Sequence, residues 1–128
     1  MTKEEFNKYS PYFKYSEFDS PDKPGSGLNM KKEFMDRIYE LRKKYGRAMV
    51  ITSGYRTKKH NAAIHGKADS SHLIGYAADI SIIGSSDRYL FVKAAMEVGF
   101  NRIGIGSNFI HIDCDPNKSP DVIWTYAY

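Results

Sequence analysis

The sequence of 128 residues is short enough to favour one domain and long enough to bury a core of its own. Hydrophobic residues make up 41% of it and aromatic residues 14%, as in a globular protein. No apolar run approaches the roughly 20 residues that cross a bilayer. We therefore expect a single domain over residues 1–128, a monomer, with no insertion into a membrane.

The charge and the cysteine content argue against several further classes of protein. Lys and Arg number 19 against 15 Asp and Glu, and the net charge of +4 is scattered over short clusters such as "RKKYGR" and "RTKKH". A basic stripe with interleaved aromatic residues is missing, so we expect no nucleic-acid partner. The single cysteine, Cys114, excludes an internal disulfide framework and a multi-cysteine zinc ribbon.

The N-terminal part predicts turns rather than long elements. "MTKEEFNKYSPYF" lacks the basic and apolar regions and the cleavage site of a secretory signal, so we expect synthesis in the cytoplasm. Residues 14–27, "KYSEFDSPDKPGSG", are dense in Ser, Pro, Gly and Asp, which favours an irregular loop or a series of turns. Residues 1–28 are therefore expected to form an irregular wrap around the domain.

An amphipathic helix is predicted for residues 29–46, with Asn29 as its N-cap and Gly46 as its end. Its apolar residues recur at steps of three and four and form one stripe. They are Met30, Phe34, Ile38, Leu41 and Tyr45.

After this helix, "AMVITSGY" predicts a buried strand that ends at Ser53 and Gly54. A polar stretch follows over residues 55–71, with a short helix expected around Lys58 to Ile64. Polar stretches of this length are often functional. His60 and His65 lie within it and could approach a site, although a surface or structural role is favoured for both.

The second half predicts another helix between strands. A strand is expected from Ala78 to Ile83, stopped by "GSS", followed by a helix with Asp87 near its start and Gly99 at its end. The predicted apolar face of that helix comprises Leu90, Phe91, Ala94, Ala95 and Val98.

Two short strands are predicted next, "RIGIG" and "FIHIDCD", joined around Ser107 and Asn108. The segment Val122, Ile123 and Trp124 is expected to add a last strand or to pack back on the body.

Alternation along "FIHIDCD" separates two faces, since successive side chains of a strand point to opposite sides. The core face carries Ile110, Ile112 and Cys114, and the other face carries Phe109, His111, Asp113 and Asp115. The second face gathers a metal ligand and carboxylates. Taken alone, the strand is better interpreted as half exposed, with His111 and Asp113 solvated.

Adding His72 and Asp79 to His111 gives two histidines and one carboxylate. Zinc accepts such ligands tetrahedrally, and three protein ligands leave a position for water, as catalytic sites require. Cys114 belongs to the other face, which disfavours a closed structural zinc site. Other divalent ions accept the same donors.

The stretch "SSHLIGYAADI" contains the pattern Ser-x-His-x-x-Gly-x-Ala-x-Asp at Ser70, His72, Gly75, Ala77 and Asp79. This pattern resembles the M15 peptidases, the family of D-alanyl-D-alanine carboxypeptidases and peptidoglycan endopeptidases. "SGYRT" upstream and "GFNRIGIGSNFIHID" downstream are similar to the same family in the same order. The resemblance spans roughly the C-terminal two thirds of the chain and extends to the short, phage-type members.

The resemblance implies a fold and a set of roles. The fold would be α+β and hedgehog/D-Ala-D-Ala peptidase-like: a small, mainly antiparallel sheet that carries the site, with helices packed on its other side. One Zn²⁺ would be bound by His72, Asp79 and His111. Arg56 would bind the substrate and assist catalysis, with a structural salt bridge as the alternative. Ser70 would contact the ligand or serve, like Gly75, as a turn and packing residue.

The general base is where the sequence departs from the family. Some members carry a glutamate three residues before the last zinc histidine, and in this sequence that position is Asn108. Hedgehog-like relatives carry a histidine two residues before the same zinc histidine, and here that position is Phe109. Asp113 is the remaining candidate for the base. It would equally well orient His111 through a hydrogen bond.

These implications lead to two functional hypotheses. The first is zinc-dependent hydrolysis of a peptide bond in bacterial peptidoglycan, in the stem peptide or a crosslink. A phage endolysin is one setting for it, in which a lysis system releases the enzyme from the cytoplasm to the cell wall. The alternative is a non-catalytic, zinc-containing module of the same fold that binds peptidoglycan or a partner.

Overall fold

A computed structural model of the protein describes residues 1–127. Their helices and strands, in chain order, are α1 (Lys3–Phe6), α2 (Lys32–Tyr45), β1 (Ile51–Ser53), α3 (Lys58–Ala63), β2 (Ala77–Ser81), α4 (Ser85–Glu97), β3 (Arg102–Ile105), β4 (Phe109–Asp113) and β5 (Val122–Thr125). Short 3-10 turns cover Asn7–Tyr9, Tyr15–Phe18, Ser26–Asn29 and Ser71–Ile74.

The strands of the described residues form one sheet in the order β1-β2-β4-β3-β5. All neighbours are antiparallel except β3 and β5, which run parallel. Parallel neighbours need a crossover connection, and residues 114–121 provide it between β4 and β5. The α+β prediction with a mainly antiparallel sheet is confirmed.

The core lies on one face of this sheet, against α2 and α4. Phe34, Ile38 and Leu41 of α2 are fully buried there, as are Phe91 and Ala95 of α4. The sheet contributes alternate residues of its strands to the same cluster: Ala78, Ile80, Ile103, Ile110 and Ile112. Alternation therefore leaves the intervening side chains for the opposite face.

The predicted boundaries of α2 need one correction. Asn29 is not the N-cap, because residues 26–29 form a 3-10 turn and Met30 is extended, so α2 starts at Lys32 after Lys31. The predicted end at Gly46 is confirmed, since this residue has a φ of +73°. Glycine adopts such a left-handed conformation readily because it lacks a Cβ atom, and helices therefore often end at it.

The region around α4 also differs from prediction. Leu90 is 39% exposed, so it does not belong to the buried face, which Phe91, Ala94 and Ala95 form. β2 ends at Ser81 rather than Ile83. Ser81 pairs with Phe109, the first residue of β4, so the ladder between these two strands stops there.

The N-terminal segment is more regular than predicted. Residues 1–28 contain α1 and a succession of 3-10 turns instead of an irregular wrap. Phe6, Tyr9, Phe13 and Phe18 insert into the core, and this burial fixes the turns. Among the described residues, none of the helices has the length and apolar character needed to span a bilayer.

Candidate metal site

A row of directly paired residues crosses the sheet on the face opposite the core. Asp79 of β2 pairs with His111 of β4, His111 with Gly104 of β3, and Gly104 with Trp124 of β5. Directly paired residues hold their Cβ atoms about 5 Å apart, so functional groups from distant parts of the sequence become neighbours. The row places a carboxylate, an imidazole, a residue without a side chain and an indole side by side.

His72 reaches this row from the 3-10 turn Ser71–Ile74. Its Nδ1 lies 2.7 Å from the carbonyl oxygen of Gly54, an acceptor, so Nδ1 carries the proton. Nε2 is then the unprotonated nitrogen, and it lies 3.4 Å from Oδ1 of Asp79. The Ser70 hydroxyl caps the turn by accepting a hydrogen bond from the backbone N–H of His72.

His111 is buried between two carboxylates. Its Nδ1 lies 2.8 Å from Oδ1 of Asp79, and its Nε2 lies 2.7 Å from Oδ2 of Asp113. The imidazole is therefore fixed at both nitrogens. Nδ1 faces the same carboxylate as His72, whereas Nε2 points away from it.

Ligand atoms of His72, Asp79 and His111 all lie within 4.8 Å of one another. Around a tetrahedral zinc with bonds of about 2.0–2.1 Å, ligand atoms are about 3.3 Å apart. The 3.4 Å from Nε2 of His72 to Oδ1 of Asp79 matches that value, whereas the 2.8 Å from Nδ1 of His111 to the same oxygen is a hydrogen-bond distance. Two imidazoles and a carboxylate this close together are a donor set that fits zinc.

The electrostatics of the cluster favour a cation. Burial lowers the pKa of His72, which keeps the ring in the neutral form that binds metals. Burial opposes the charged forms of Asp79 and His111 too. However, the hydrogen bonds and charges around them prevail, so the pKa of Asp79 lies below its usual range and that of His111 above it. The surroundings of His111 thus stabilise positive charge, which a divalent ion would supply.

Asp113 has partners at both oxygens. Besides the His111 contact at Oδ2, its Oδ1 accepts hydrogen bonds from Nε of Arg102 at 2.7 Å and from the backbone N–H of Asp115 at 3.1 Å. Its side chain is 1% exposed. Burial raises the pKa of Asp113, but the hydrogen bond and charge of His111 outweigh it, and the pKa is lowered.

Arg56 forms the structural salt bridge that the sequence left as the alternative to substrate binding. Its Nη2 lies 3.3 Å from Oδ2 of Asp79, so the salt bridge exists, while Nε donates to the Ser53 hydroxyl at 3.0 Å. Nη1 donates to the side-chain oxygen of Asn61 at 3.3 Å. The same arginine borders the cleft over the cluster.

That cleft has a volume of about 560 Å³. The proposed ligands form part of its wall, and the residues that line it around them include Arg56, Ser70, Arg102, Lys118, Trp124 and Tyr126. A cavity of this size holds a small ligand or a short peptide segment.

Trp124 covers the site from the β5 side. Its ring centroid lies 5.5 Å from that of His111, and the Arg102 guanidinium lies 5.2 Å from the indole. A Cβ atom on Gly104 would come within 2.7 Å of the indole nitrogen. Trp124 can therefore lie across the sheet only because residue 104 has no side chain.

The other residues singled out from the sequence lie around the cleft or away from it. Ser70 and the exposed His65 line it, whereas His60 and the exposed Asn108 line an adjacent cavity that also contacts Arg56. Cys114 is buried in the hydrophobic core, on the face predicted for it.

Gly75 follows the 3-10 turn Ser71–Ile74 with a φ of +77° and packs against the backbone of Asn29 and Met30. A Cβ atom there would lie 2.3 Å from the backbone oxygen of Asn29.

Sequence patterns did not indicate Asn61, Arg102, Lys118 or Trp124 as site residues. Asn61 is 4% exposed, and its amide group links Arg56 to the backbone oxygen of Lys67. Alternation along "RIGIG" could have placed Arg102 and Gly104 on one face. Nothing in the local pattern reveals that β5 runs beside β3, which is what brings Trp124 to His111.

Comparison with known proteins agrees with this geometry. No curated protein matches the sequence. The family model for Peptidase M15 matches residues 11–113, a span that contains all three proposed ligands. The chain therefore belongs to the peptidase M15 family, a family of hydrolases that generally depend on zinc.

Proposed function

We propose that this protein is a zinc-dependent peptidase that hydrolyses a peptide bond in bacterial peptidoglycan, in the stem peptide or a crosslink. The observation that carries the proposal is the convergence of His72, Asp79 and His111 in a cleft, with ligand atoms within 4.8 Å of one another. Membership of the M15 family supports the hydrolysis of peptide bonds, and the donor set supports zinc.

In this proposal His72, Asp79 and His111 would hold the metal, through Nε2, Oδ1 and Nδ1 respectively. A zinc ion bound there would supply Lewis acidity toward the scissile carbonyl and toward water. The residues themselves set the geometry: Gly54 fixes the tautomer of His72, and Arg56 holds the second oxygen of Asp79.

Arg56 is proposed to bind a substrate carboxylate. A guanidinium has five N–H donors, and its contacts with Ser53, Asn61 and Asp79 use one at each nitrogen. Those contacts hold the plane of the guanidinium, while donors remain for a bidentate contact. Ser70, whose hydroxyl caps the turn that carries His72, is proposed to touch the same ligand at the cleft wall.

Of the two roles for Asp113, we propose the orienting one. Its Oδ2 lies against the nitrogen of His111 that points away from the cluster, and its Oδ1 is taken by Arg102 and Asp115. A carboxylate that receives the second ring N–H of a metal-binding histidine fixes the ring and raises its basicity. Proton transfer then falls to a group other than Asp113.

A second candidate function is a zinc-containing module that binds peptidoglycan or a partner without cleaving it. One observation favours it: among the described residues that line the cleft, the carboxylates are Asp79 and Asp113, and both have partners. The position of a family glutamate is Asn108, which is exposed. A carboxylate base is thus missing from this part of the cleft.

Digestion of purified peptidoglycan separates the two functions. We expect the zinc-loaded protein to release new amino or carboxyl termini, a chelator to stop the release, and added zinc to restore it. His72→Ala should be inactive with or without zinc. A folded, zinc-loaded protein that binds the wall and releases no termini would establish the binding module instead.

We also propose a phage endolysin as the biological setting, following the resemblance to short phage-type members. Expression together with a membrane-permeabilising protein should lyse a host culture. Expression of His72→Ala under the same conditions should not. Equal lysis by both would contradict this setting.

A further inference from the structure

A lysine from outside the family-matched region also borders the cleft. Lys118 lies in the connection between β4 and β5, beyond residue 113, where the family match ends. Its Nζ donates to the Ser71 hydroxyl at 2.9 Å and lies 3.8 Å from Oδ2 of Asp115. Ser71 precedes the proposed ligand His72, so the 3-10 turn connects Lys118 with the metal cluster.

These contacts fix the ammonium group. Ser71 donates its own hydroxyl proton to Asp115 at 2.7 Å, and both residues are buried, at 3% and 5% exposure. An ammonium group has three N–H donors, and the Ser71 hydroxyl accepts one. The 3.8 Å separation from Asp115 is too long for a hydrogen bond, so donors remain on a lysine that lines the cleft.

The charge of the cleft indicates what those donors would bind. Histidines aside, the charged residues that line it within the described chain are four cations and two carboxylates: Arg56, Lys67, Arg102 and Lys118 against Asp79 and Asp113. A bound divalent metal would increase this excess of positive charge. An anionic ligand is favoured at such a surface.

We propose that Lys118 binds a carboxylate of the substrate, separate from the carboxylate assigned to Arg56. The substrate is then a peptide with two carboxylates within the length of the cleft. This inference rests on the proposed peptidase function and specifies its substrate class. Arg56 and Lys118 meet the same 3-10 turn, Arg56 through its backbone N–H to the His72 carbonyl and Lys118 through Ser71.

The test measures peptide binding to the zinc-loaded, unmodified chain through the fluorescence of Trp124, its only tryptophan, which lines the cleft. The probe is the synthetic peptide L-Ala-γ-D-Glu-L-Lys-D-Ala-D-Ala with both carboxylates free. It is compared with the α-carboxamide at the glutamate, the C-terminal amide and the doubly amidated peptide. The unmodified chain should bind the dianionic peptide most tightly and lose affinity on each single amidation.

Lys118→Met should weaken binding of the dianionic peptide about tenfold, the effect of one hydrogen bond to a charged group. It should leave unchanged the affinity for the singly amidated peptide that lacks the carboxylate Lys118 would hold. Lys118→Arg should retain the preference for the dianionic peptide. Lys93→Met, a change on α4 beside a different groove, should bind all four peptides as the unmodified chain does.

Loss of Lys118 leaves the buried carboxylate of Asp115 without its cation, which could lower stability. The double variant Lys118→Met with Asp115→Asn removes that unpaired charge, and it should show the same loss of affinity for the dianionic peptide as Lys118→Met. Equal weakening toward all four peptides would overturn the proposal, because a purely structural lysine acts regardless of the ligand's charge. The proposal for Lys118 would also be overturned if the unmodified chain bound the carboxylate and amide forms of the peptide equally well. If the peptides were nevertheless cleaved, the proposed peptidase function would stand. Neither binding nor cleavage of any peptide would overturn both proposals.

Discussion

Oδ2 of Asp113 lies 2.7 Å from Nε2 of His111, on the side of the imidazole away from the metal cluster. The two roles predicted for Asp113 differ in what its loss would change. Loss of a carboxylate that orients His111 would weaken metal binding, whereas loss of a general base would stop turnover and leave metal binding unchanged.

We therefore expect Asp113→Ala to weaken zinc binding about 10–100-fold, the usual effect of losing such a partner. Asp113→Asn should weaken it less, because the amide oxygen can still accept the Nε2 proton. Zinc affinity is measured by competition with a chromogenic chelator. If Asp113 were the base, both variants would bind zinc normally and be inactive. Thermal unfolding of both variants serves as the control, since each leaves Arg102 without its carboxylate.

Zinc should stabilise the folded chain through the three proposed ligands. At a free zinc concentration of 100 times Kd, linkage adds about 2.7 kcal/mol to the free energy of unfolding. Calorimetry should show this increase for the unmodified chain and none for His72→Ala or His111→Ala. The matched control is His60→Ala, since His60 lines the adjacent cavity and lies outside the cluster, and it should respond fully. An equal response by His72→Ala would place the metal elsewhere.

Gly104→Ala should displace Trp124 from the cleft wall. The added methyl group would lie 2.6–2.8 Å from the rings of Tyr126 and Trp124, and such overpacking costs about 1–3 kcal/mol. We expect a lower free energy of unfolding and a shifted Trp124 emission maximum. Gly84→Ala is the control, because the nearest atom to its Cβ would be at 3.6 Å and its φ of −68° suits alanine. An unchanged emission spectrum in Gly104→Ala would contradict the close packing of this strand pair.

Acid should destabilise the fold partly through Asp36. Burial raises its pKa, but hydrogen bonds from Lys32 and Tyr9 bring the pKa down to about 2 from 3.8. A carboxyl group with a lowered folded pKa stabilises the fold above the unfolded value, and this contribution is lost as the pH falls from about 4 to about 2. Because the side chain is 44% exposed, solvent screens the effect.

Asp36→Asn should therefore unfold at lower urea concentration at pH 6 and lose less stability between pH 4 and pH 2 than the unmodified chain. A chelator is present throughout, so that metal release does not contribute. Asp69→Asn, at an exposed aspartate without an ion pair among the described residues, should keep the original pH profile. Identical profiles for the chain and Asp36→Asn would contradict the role of Asp36.

Local patterns predicted the main helices and strands, apart from some of their ends, and the family resemblance implied the proposed ligands. Hydrophobic periodicity located α2 and α4, since a helix must present one apolar stripe to the core. Alternation in "FIHIDCD" separated the core residues Ile110 and Ile112 from His111, because the pleat allows only two faces. The ordered motifs around His72 and Asp79 then indicated the family.

The tertiary structure decided what surrounds those ligands. Asp113 became a partner of Arg102 because β3 and β4 pair in that register, and Lys118 reached Ser71 across 47 positions of the sequence. Trp124 covers His111 only because β5 adds in parallel beside β3 and Gly104 leaves room. Strand register and crossover direction depend on contacts between distant segments. Periodicity within one segment carries no record of them, whereas it does record which face of that segment is buried.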